Sequence, residues 1–410
     1  MKHKRNKKKN KEFEFEAVNS QSHKGLLSMM VVMLGFSFFS ASMWAGGNLG
    51  SSLTSPMFIF AVIVGNLLLS TYTGLLAYIA GRTNLSTHLL AHYSFGTKGS
   101  YLPSMLLAIT QIGWFGVGVA MFALPVAKLF PEINIWIIIW VSGLLMTVTA
   151  FFGIKALTIL SAVAVPAIII MGCKSVNIAL HDFGGWKAWW DHVPVQNMSI
   201  YTAIGVVIAT FISGGTLTPD FTRFSKSPAI SVFSTVTAFL IGNSLMFVFG
   251  AIGASFYQQS DIAEVLFKQG LIVWGVLTLG LNIWTTNDNA IYASGLGLAN
   301  VLKMPKQYIV LVIGVIGTAL SMYLYNHFID WLNFLNMMLP SIGGVLIADY
   351  FIINKGRYGT HNHFKNVRMA GIVGWAAGVC AAVLLPGIKS LNSIMIAVIV
   401  YSAWTRVVEK

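Results

Sequence analysis

Acidic residues are scarce in this chain. Thirteen Asp and Glu stand among 410 residues, against 26 Lys and Arg, and charged residues of both signs reach only 10%. A soluble globular chain carries about 25%, so there is too little charge here to coat a water-facing surface. Cysteine is nearly absent as well. Cys173 and Cys380 both fall inside apolar segments, which gives no disulfide framework and no metal-binding spacing. The sequence has no Walker loop, no glycine-rich dinucleotide fingerprint and no HExxH pair. Those absences argue against an ATP-driven pump and a zinc hydrolase. The short alternating segments of a transmembrane β-barrel are missing too.

What the chain has in quantity is apolar length. Hydrophobic residues make up 56% of it, and the mean hydropathy is +0.73. Apolar runs recur at about 20 residues each, enough to cross a bilayer as a helix. The fold class expected is therefore all-α and integral to the membrane, with about twelve transmembrane helices. The runs place them near 28–50, 56–80, 102–128, 133–153, 156–180, 200–222, 230–257, 270–300, 307–325, 330–353, 368–386 and 390–407.

The formal charge of +13 is a matter of topology, and no nucleic-acid partner is expected. Met1–Lys11 supplies seven of the basic residues. Arg82, Lys98, Lys155, Arg223, Lys226, Lys303, Lys306, Lys355, Arg357, Lys365, Arg368, Arg406 and Lys410 fall in alternate loops or ends on the same side as that tail. Lys128, Lys187, Lys268 and Lys389 fall on the other. This asymmetry puts both termini in the cytoplasm. The tail 1–27 lacks an adjacent short apolar region and cleavage site, so no cleavable signal is expected. It is free to touch anionic lipid heads. Trp186, Trp189 and Trp190 read as an interfacial belt. His88 and His92 have the i, i+4 spacing of a metal pair, but no acid accompanies them in the sequence; an amphipathic interfacial segment is the expected form.

One stretch defies the apolar pattern. Asn282-Ile283-Trp284-Thr285-Thr286-Asn287-Asp288-Asn289 interrupts the run from Leu271 to about Val301. A charge at mid-membrane costs roughly 2.5–3.5 kcal/mol even on the mild insertion scale. Asn282, Thr285, Thr286 and Asn289 share one helical face, which must point at protein, water or a solute. Interhelical hydrogen bonding is the simpler use of such residues, but their density points to a site for a polar solute, an ion, or both. Asp288 suggests either proton coupling or a structural hydrogen bond, and the structural role is favoured.

Two further helices are interrupted. The first carries Gly35 to Ser42 and then Gly46-Gly47; the sixth carries Phe211-Ile212-Ser213-Gly214-Gly215-Thr216 and then Pro219. Each stands first in a group of five. Breaks at matching positions of two halves point to an inverted-repeat transporter with unwound backbone at mid-membrane. The expected division is 28–181 and 200–353 as a ten-helix core, with 354–410 as two peripheral helices. Helix three adds Gln111 and Trp114 among Gly113, Gly116 and Gly118. Trp114 facing Phe211 would make a slot for a flat heterocycle, where stacking contributes about 1–3 kcal/mol per base.

The stretches Met33–Trp44, Thr110–Phe122, Phe211–Thr218 with Asp220, Leu279–Gly295, and Pro340–Gly344 with Ala348–Tyr350 resemble the bacterial cytosine permeases of nucleobase–cation symport family one. The likeness covers nearly everything after the tail. It implies a leucine-transporter-type core, sodium-coupled cytosine uptake by alternating access, a multi-pass place in the inner membrane, and a monomer. It implies that Trp114 and Phe211 sandwich the base, that Asn282 reads its polar edge, and that Phe39, Ser40, Gln111 and Ser213 complete the hydrogen bonds. Sodium would be held by the carbonyls of Gly35, Phe38 and Asn282 and the hydroxyls of Thr285 and Thr286. Ser37, Gly215, Pro219 and the basic tail depart from the pattern without removing a ligand, although Gly215 and Pro219 bear on the shape of helix six. Another flat heterocycle (uracil, a purine, hydantoin or allantoin) or proton coupling is the alternative. A channel would need a continuous polar lining. An enzyme would need an acid, base and nucleophile at one depth, and Asp288 has no His or Cys on its face.

Overall fold

A computed structural model describes residues 13–151, 154–194, 197–358 and 364–409. The basic tail Met1–Lys11 lies outside the described residues. Among those described, the chain is helical throughout, with one isolated bridge between Lys24 and Ser225.

The first span is two helices, α1 (Leu26–Ser37) and α2 (Ser40–Ser52), bent by 51° at their junction. Next come α3 (Ser55–Thr83), the short α4 (Thr87–Phe95), α5 (Tyr101–Leu129), α6 (Ile135–Phe151) and α7 (Ile154–Asp182). A second short helix, α8 (Gly185–Trp190), leads to α9 (Ile200–Thr216) and α10 (Thr218–Thr222), which together form the sixth span. The seventh is α11 (Pro228–Thr237) and α12 (Ser244–Tyr257), joined by a π-helical turn at Ala238–Asn243. After the short α13 (Ile262–Lys268) come α14 (Ile272–Leu302) and α15 (Lys306–Asn326). The tenth span is α16 (Phe328–Met338), α17 (Pro340–Ile347) and a π-helical end at Ala348–Ile353. The last two are α18 (Met369–Leu384) and α19 (Lys389–Val407).

Twelve spans result among the described residues, at the places the apolar runs predict. Seven helices and the bent pair are long and apolar enough to cross a bilayer, and α6, α9 and α18 are shorter apolar helices. At 31 residues α14 is long enough, but its polar stretch keeps it out of the apolar group. Local chemistry sets several ends. Ser86, Ser199 and Ser227 cap α4, α9 and α11 by accepting from backbone N–H groups in the first turn, and each such cap is worth about 1 kcal/mol. Asn84 closes α3 in the left-handed region, with its N–H on the Ala80 carbonyl at 2.7 Å.

Two glycines let α2 and α12 cross at backbone distance. A Cβ on Gly46 would strike the Phe247 carbonyl, and one on Gly250 would strike that of Met43. The π turn beside this crossing turns Asn243 toward neighbours. Its amide accepts from Ser42 Oγ at 2.7 Å and donates to Asn66 Oδ1 at 2.8 Å, tying the first, second and seventh spans together.

Four local expectations differ from the structure. Helix six runs unbroken through Phe211–Thr216 and is interrupted at Leu217, so the small residues Ser213–Gly215 pack against neighbours instead of unwinding. Phe36 sits against Gly214, and Thr73 against Gly215. The tenth span is also broken, at Leu339–Pro340, where the ring of Pro340 starts α17. The segment with His88 and His92 is not a free interfacial helix. It is folded into the bundle, with His88 2% exposed. Of the tryptophan belt, Trp186 and Trp190 are exposed, whereas Trp189 is buried edge-on against Phe58.

Candidate functional site

The break in the first span is two extended residues. Phe38 (φ −78°, ψ 94°) ends α1 and Phe39 (φ −132°, ψ 133°) precedes α2. The carbonyls of the last turn of α1, Gly35 among them, lose their onward helical partners there. Asn282, at the middle of α14, closes the gap. Its Nδ2 donates to the Phe38 carbonyl at 2.5 Å. Its Oδ1 accepts from Ser40 N at 2.8 Å and from Ser40 Oγ at 2.6 Å. All three residues are buried, and each such bond contributes about 0.5–1.5 kcal/mol net.

Two hydroxyls follow one helical turn further on. Thr285 Oγ1 donates to the Asn282 carbonyl at 2.7 Å, and Thr286 Oγ1 reaches it at 3.0 Å. Each hydroxyl spends its proton on the carbonyl and keeps its lone pairs. The arrangement is rich in oxygen and free of buried carboxylates at this point, a donor set of the kind a hard monovalent cation takes. The Asn282 carbonyl already receives two hydroxyls, so an ion at that oxygen displaces at least one of them.

Beside the break lies a small cavity. Phe36, Phe39, Gln111, Trp114, Thr210, Phe211, Gly214, Thr286, Asn287 and Ala290 line it. Trp114 and Phe211 share this cavity, and Phe39 meets both edge-on, at centroid distances of 5.5 and 6.4 Å. One edge of the cavity is polar. Gln111 Nε2 donates to Ser213 Oγ at 2.6 Å, and Thr110 Oγ1 lies 2.8 Å from the same oxygen. The structure thus brings Phe39, Gln111, Trp114 and Phe211 into one lining, with Ser213 behind Gln111. Ser40 and Asn282 lie at the neighbouring break, bonded to one another.

The rest of the polar stretch is bound into the bundle. Asn287 fills the space left by Gly118 and donates to the Phe115 carbonyl at 3.2 Å. Asp288 Oδ1 lies 2.8 Å from Thr149 Oγ1, which also accepts from Trp284 Nε1 at 2.8 Å. Asp288 Oδ2 and both polar atoms of Asn289 are buried with no hydrogen-bond partner among the described residues.

Two clusters of contacts join distant parts of the chain toward the two ends of the bundle. On the side away from the N-terminus, Trp44 stacks with Phe328 (4.2 Å, 8°) and with Tyr325 (4.9 Å, 25°). Phe328 in turn meets Trp114 edge-on at 6.0 Å. On the N-terminal side, Arg223 Nη1 donates to the Phe13 carbonyl at 2.7 Å, and Lys306 Nζ lies 3.9 Å from the centre of the Tyr292 ring. Lys306 also donates its backbone N–H to Glu14 Oε1 at 3.1 Å. Sequence reasoning missed both clusters, because they join residues far apart in the chain. It also missed the acid beside the histidines. His88 Nε2 lies 3.5 Å from Asp220 Oδ2 and its Nδ1 3.1 Å from Ser104 Oγ, while His92 Nε2 lies 2.9 Å from Asn300 Oδ1. No group of three metal-ligating side chains forms among the described residues.

Comparison with known proteins matches this geometry to one group. Over 384 residues the chain is 50% identical to the cytosine permease of Escherichia coli K12, covering 92% of this chain and 90% of that protein. It is 22% identical to the hydantoin permease of Microbacterium maritypicum, covering 94% and 86%. Among solved structures it superposes on Mhp1, a nucleobase-cation-symport-1 family transporter in a closed conformation with bromovinylhydantoin bound. The TM-score is 0.85 at 19% identity, over 95% of this chain and 94% of that one. A Na+-coupled sialic acid symporter in a substrate-bound outward-open state shares the fold more distantly, with TM-score 0.73 at 12% identity over 98% and 93%. Two groups of five spans, the break in the first of each and two added helices are thus the leucine-transporter-type architecture, and the chain is a transporter, not an enzyme. Residues 18–400 match as one unit, and the chain belongs to the family of permeases for cytosine and purines, uracil, thiamine and allantoin.

Proposed function

We propose that this chain takes up cytosine together with sodium by alternating access. The observation that carries the reading is the cavity beside the helix break. Aromatic side chains from α5 and α9 border it, Phe39 stands at its side, and Gln111 supplies a polar edge. A pyrimidine is flat and apolar on its faces and polar on its rim, which is what such a lining accepts. Half-identity to a named cytosine permease favours cytosine over uracil, purines, hydantoin or allantoin.

In this proposal Trp114 and Phe211 take the faces of the base. Gln111, Ser213, Ser40 and the backbone at Phe39 pair with its rim. Sodium takes the carbonyls of Gly35, Phe38 and Asn282 and the hydroxyls of Thr285 and Thr286. The Asn282 clasp gives this set a reason to be coupled. An ion drawn to the Phe38 carbonyl competes with the Asn282 amide for that oxygen. The released N–H then faces the neighbouring cavity, where a base offers it an acceptor. Ion and base each favour the same rearranged amide, and by linkage each tightens the other.

The bias of basic residues supports a cytoplasmic N-terminal face, with both termini inside the inner membrane and the Trp44 stack outside. Residues 28–353 form the transport unit, 28–181 and 200–353 being its two halves, and 354–410 add the peripheral pair. The unit works as a monomer with lipid as its only other neighbour. The test is cytosine uptake into proteoliposomes, with a sodium gradient imposed or abolished at fixed pH and a panel of unlabelled nucleobases in competition. Uptake should follow the sodium gradient, with cytosine the strongest competitor. Accumulation driven by a proton gradient alone would overturn the ion; stronger competition by uracil or hydantoin would overturn the base.

A further inference from the structure

On the N-terminal face, away from the transport cavity, a second concavity has an empty volume of about 860 Å³. Arg82, Arg357, Tyr93, Tyr350 and Tyr358 are in its wall, and Ala17 of the N-terminal segment borders it. Arg82 stands in the last turn of α3. Arg357 follows a tight turn in which Lys355 and Gly356 have φ of 50° and 78°, and the Gly356 N–H returns to the Tyr350 carbonyl at 2.8 Å. Tyr93 and Tyr358 stack at 3.8 Å and 16°, so the wall has a fixed aromatic part.

The two guanidiniums are unlike their basic neighbours. Arg368 is paired with Asp349 and Glu409, each at 3.1 Å. Among the described residues no carboxylate pairs with Arg82 or Arg357. Asp349, the nearest buried acid, is already occupied. Its oxygens face Arg368, the Tyr401 hydroxyl at 2.5 Å and the Tyr358 hydroxyl at 2.9 Å. A concave wall with low-dielectric sides focuses the field of two uncompensated cations. Guanidinium forks fit phosphate oxygens in bidentate fashion, and a phenol hydroxyl not already bonded to Asp349, such as that of Tyr93, can add a donor.

We propose that this pocket binds a phosphate group, carried either by the head of an anionic phospholipid or by a small soluble anion. The inference is independent of which base or ion the protein carries. The test uses the purified full-length protein in neutral detergent. Dihexanoyl-phosphatidylglycerol, dihexanoyl-phosphatidylcholine and inorganic phosphate are each titrated against its thermal unfolding. The parent should respond saturably to phosphatidylglycerol or to phosphate, not to phosphatidylcholine, and the response should weaken as salt is raised. R357Q should lower the affinity about fivefold and R82Q/R357Q about twenty-fivefold, from about 1 kcal/mol for each cation near an anionic head. R357Q removes an exposed side chain outside the helices and serves if the double variant does not fold. A response to phosphatidylglycerol alone assigns a lipid head, and one to inorganic phosphate assigns a soluble anion. No saturable response to either anion, or equal affinity in the parent and R357Q, overturns the proposal.

Discussion

The side-chain nitrogen of Asn282 lies 2.5 Å from the carbonyl oxygen of Phe38. Two residues 244 positions apart thus meet at the one place where the first span has no helix to satisfy it. With Ser40 on the other end of the amide, a single side chain bridges both stumps of the break. Asn282→Ala removes that bridge and leaves the Phe38 carbonyl and the Ser40 N–H without it, at about 1–3 kcal/mol for each buried group stranded. The backbone carbonyl of residue 282 survives. Cytosine binding should fall sharply, sodium binding alone should persist, and added cytosine should no longer tighten it. A sodium titration of the folded variant with and without cytosine checks this. Loss of sodium binding even without cytosine would show that the side chain serves the ion.

Trp114 borders the cavity and meets Phe39 and Phe328 edge-on. Trp114→Ala should weaken cytosine binding by at least ~1 kcal/mol, and Trp114→Phe by less. Equilibrium binding to the purified variants measures it. Unchanged affinity in the Ala variant would remove the stacking face from the site.

Thr285 and Thr286 both point their hydroxyls at the Asn282 carbonyl. The double Thr→Val variant keeps their shape and deletes both oxygens. Cytosine binding should then lose its dependence on sodium while remaining measurable. Ordinary enhancement by sodium would move the ion elsewhere.

Asp288 is held by Thr149, which in turn takes the Trp284 indole. A carboxamide preserves an acceptor for that hydroxyl, so Asp288→Asn should retain sodium-driven uptake, at lower yield of folded protein. Normal cytosine binding with no gradient-driven accumulation would instead make the acid part of the coupling.

Asp261, in the loop before α13, caps that helix at 2.9 Å from Ala263 N and accepts from the Tyr325 hydroxyl at 3.2 Å. Burial pushes its carboxyl above the ordinary carboxylate range, against the pull of those bonds and of Lys128. A raised folded-state value means that the folded protein holds the proton more tightly than the unfolded chain. Its contribution is therefore greatest at low pH and is lost as pH rises through the folded value. Thermal unfolding across mildly acidic pH should show this loss in the parent and a flatter profile in Asp261→Asn. Parallel profiles would contradict it.

The spans were legible because each is an apolar run of membrane length, and the polar stretch on α14 stood out against that background. The break at Phe38–Phe39 was legible from the small residues around it. Helix six misled for the same reason. Its Ser213-Gly214-Gly215 run looks like unwound backbone, but Phe36 and Thr73 pack onto those glycines and keep the helix whole as far as Leu217. Pro340 signalled the break in the tenth span and was read as a motif residue only. Of the candidate site, the aromatic and amide residues on α5 and α9 could be named, since each is unusual at its own depth. Their partners could not. The Asn282 clasp, the His88–Asp220 contact and the Trp44 stack depend on which helices pack together, and no local pattern carries that.

The Trp44 stack is light. Two stacked ring contacts of one indole, with Phe328 and with Tyr325, contribute about 0.5–1.5 kcal/mol each beyond their burial. Together they bias closure by about 1–3 kcal/mol, a population ratio of roughly 5 to 150. Any opening on this side must break both contacts. Because Phe328 also touches Trp114, a movement of the stack would reach the wall of the cavity directly. In a variant that keeps only Trp44 and Trp114 of the twelve tryptophans, indole emission would therefore report the stack and the cavity wall together.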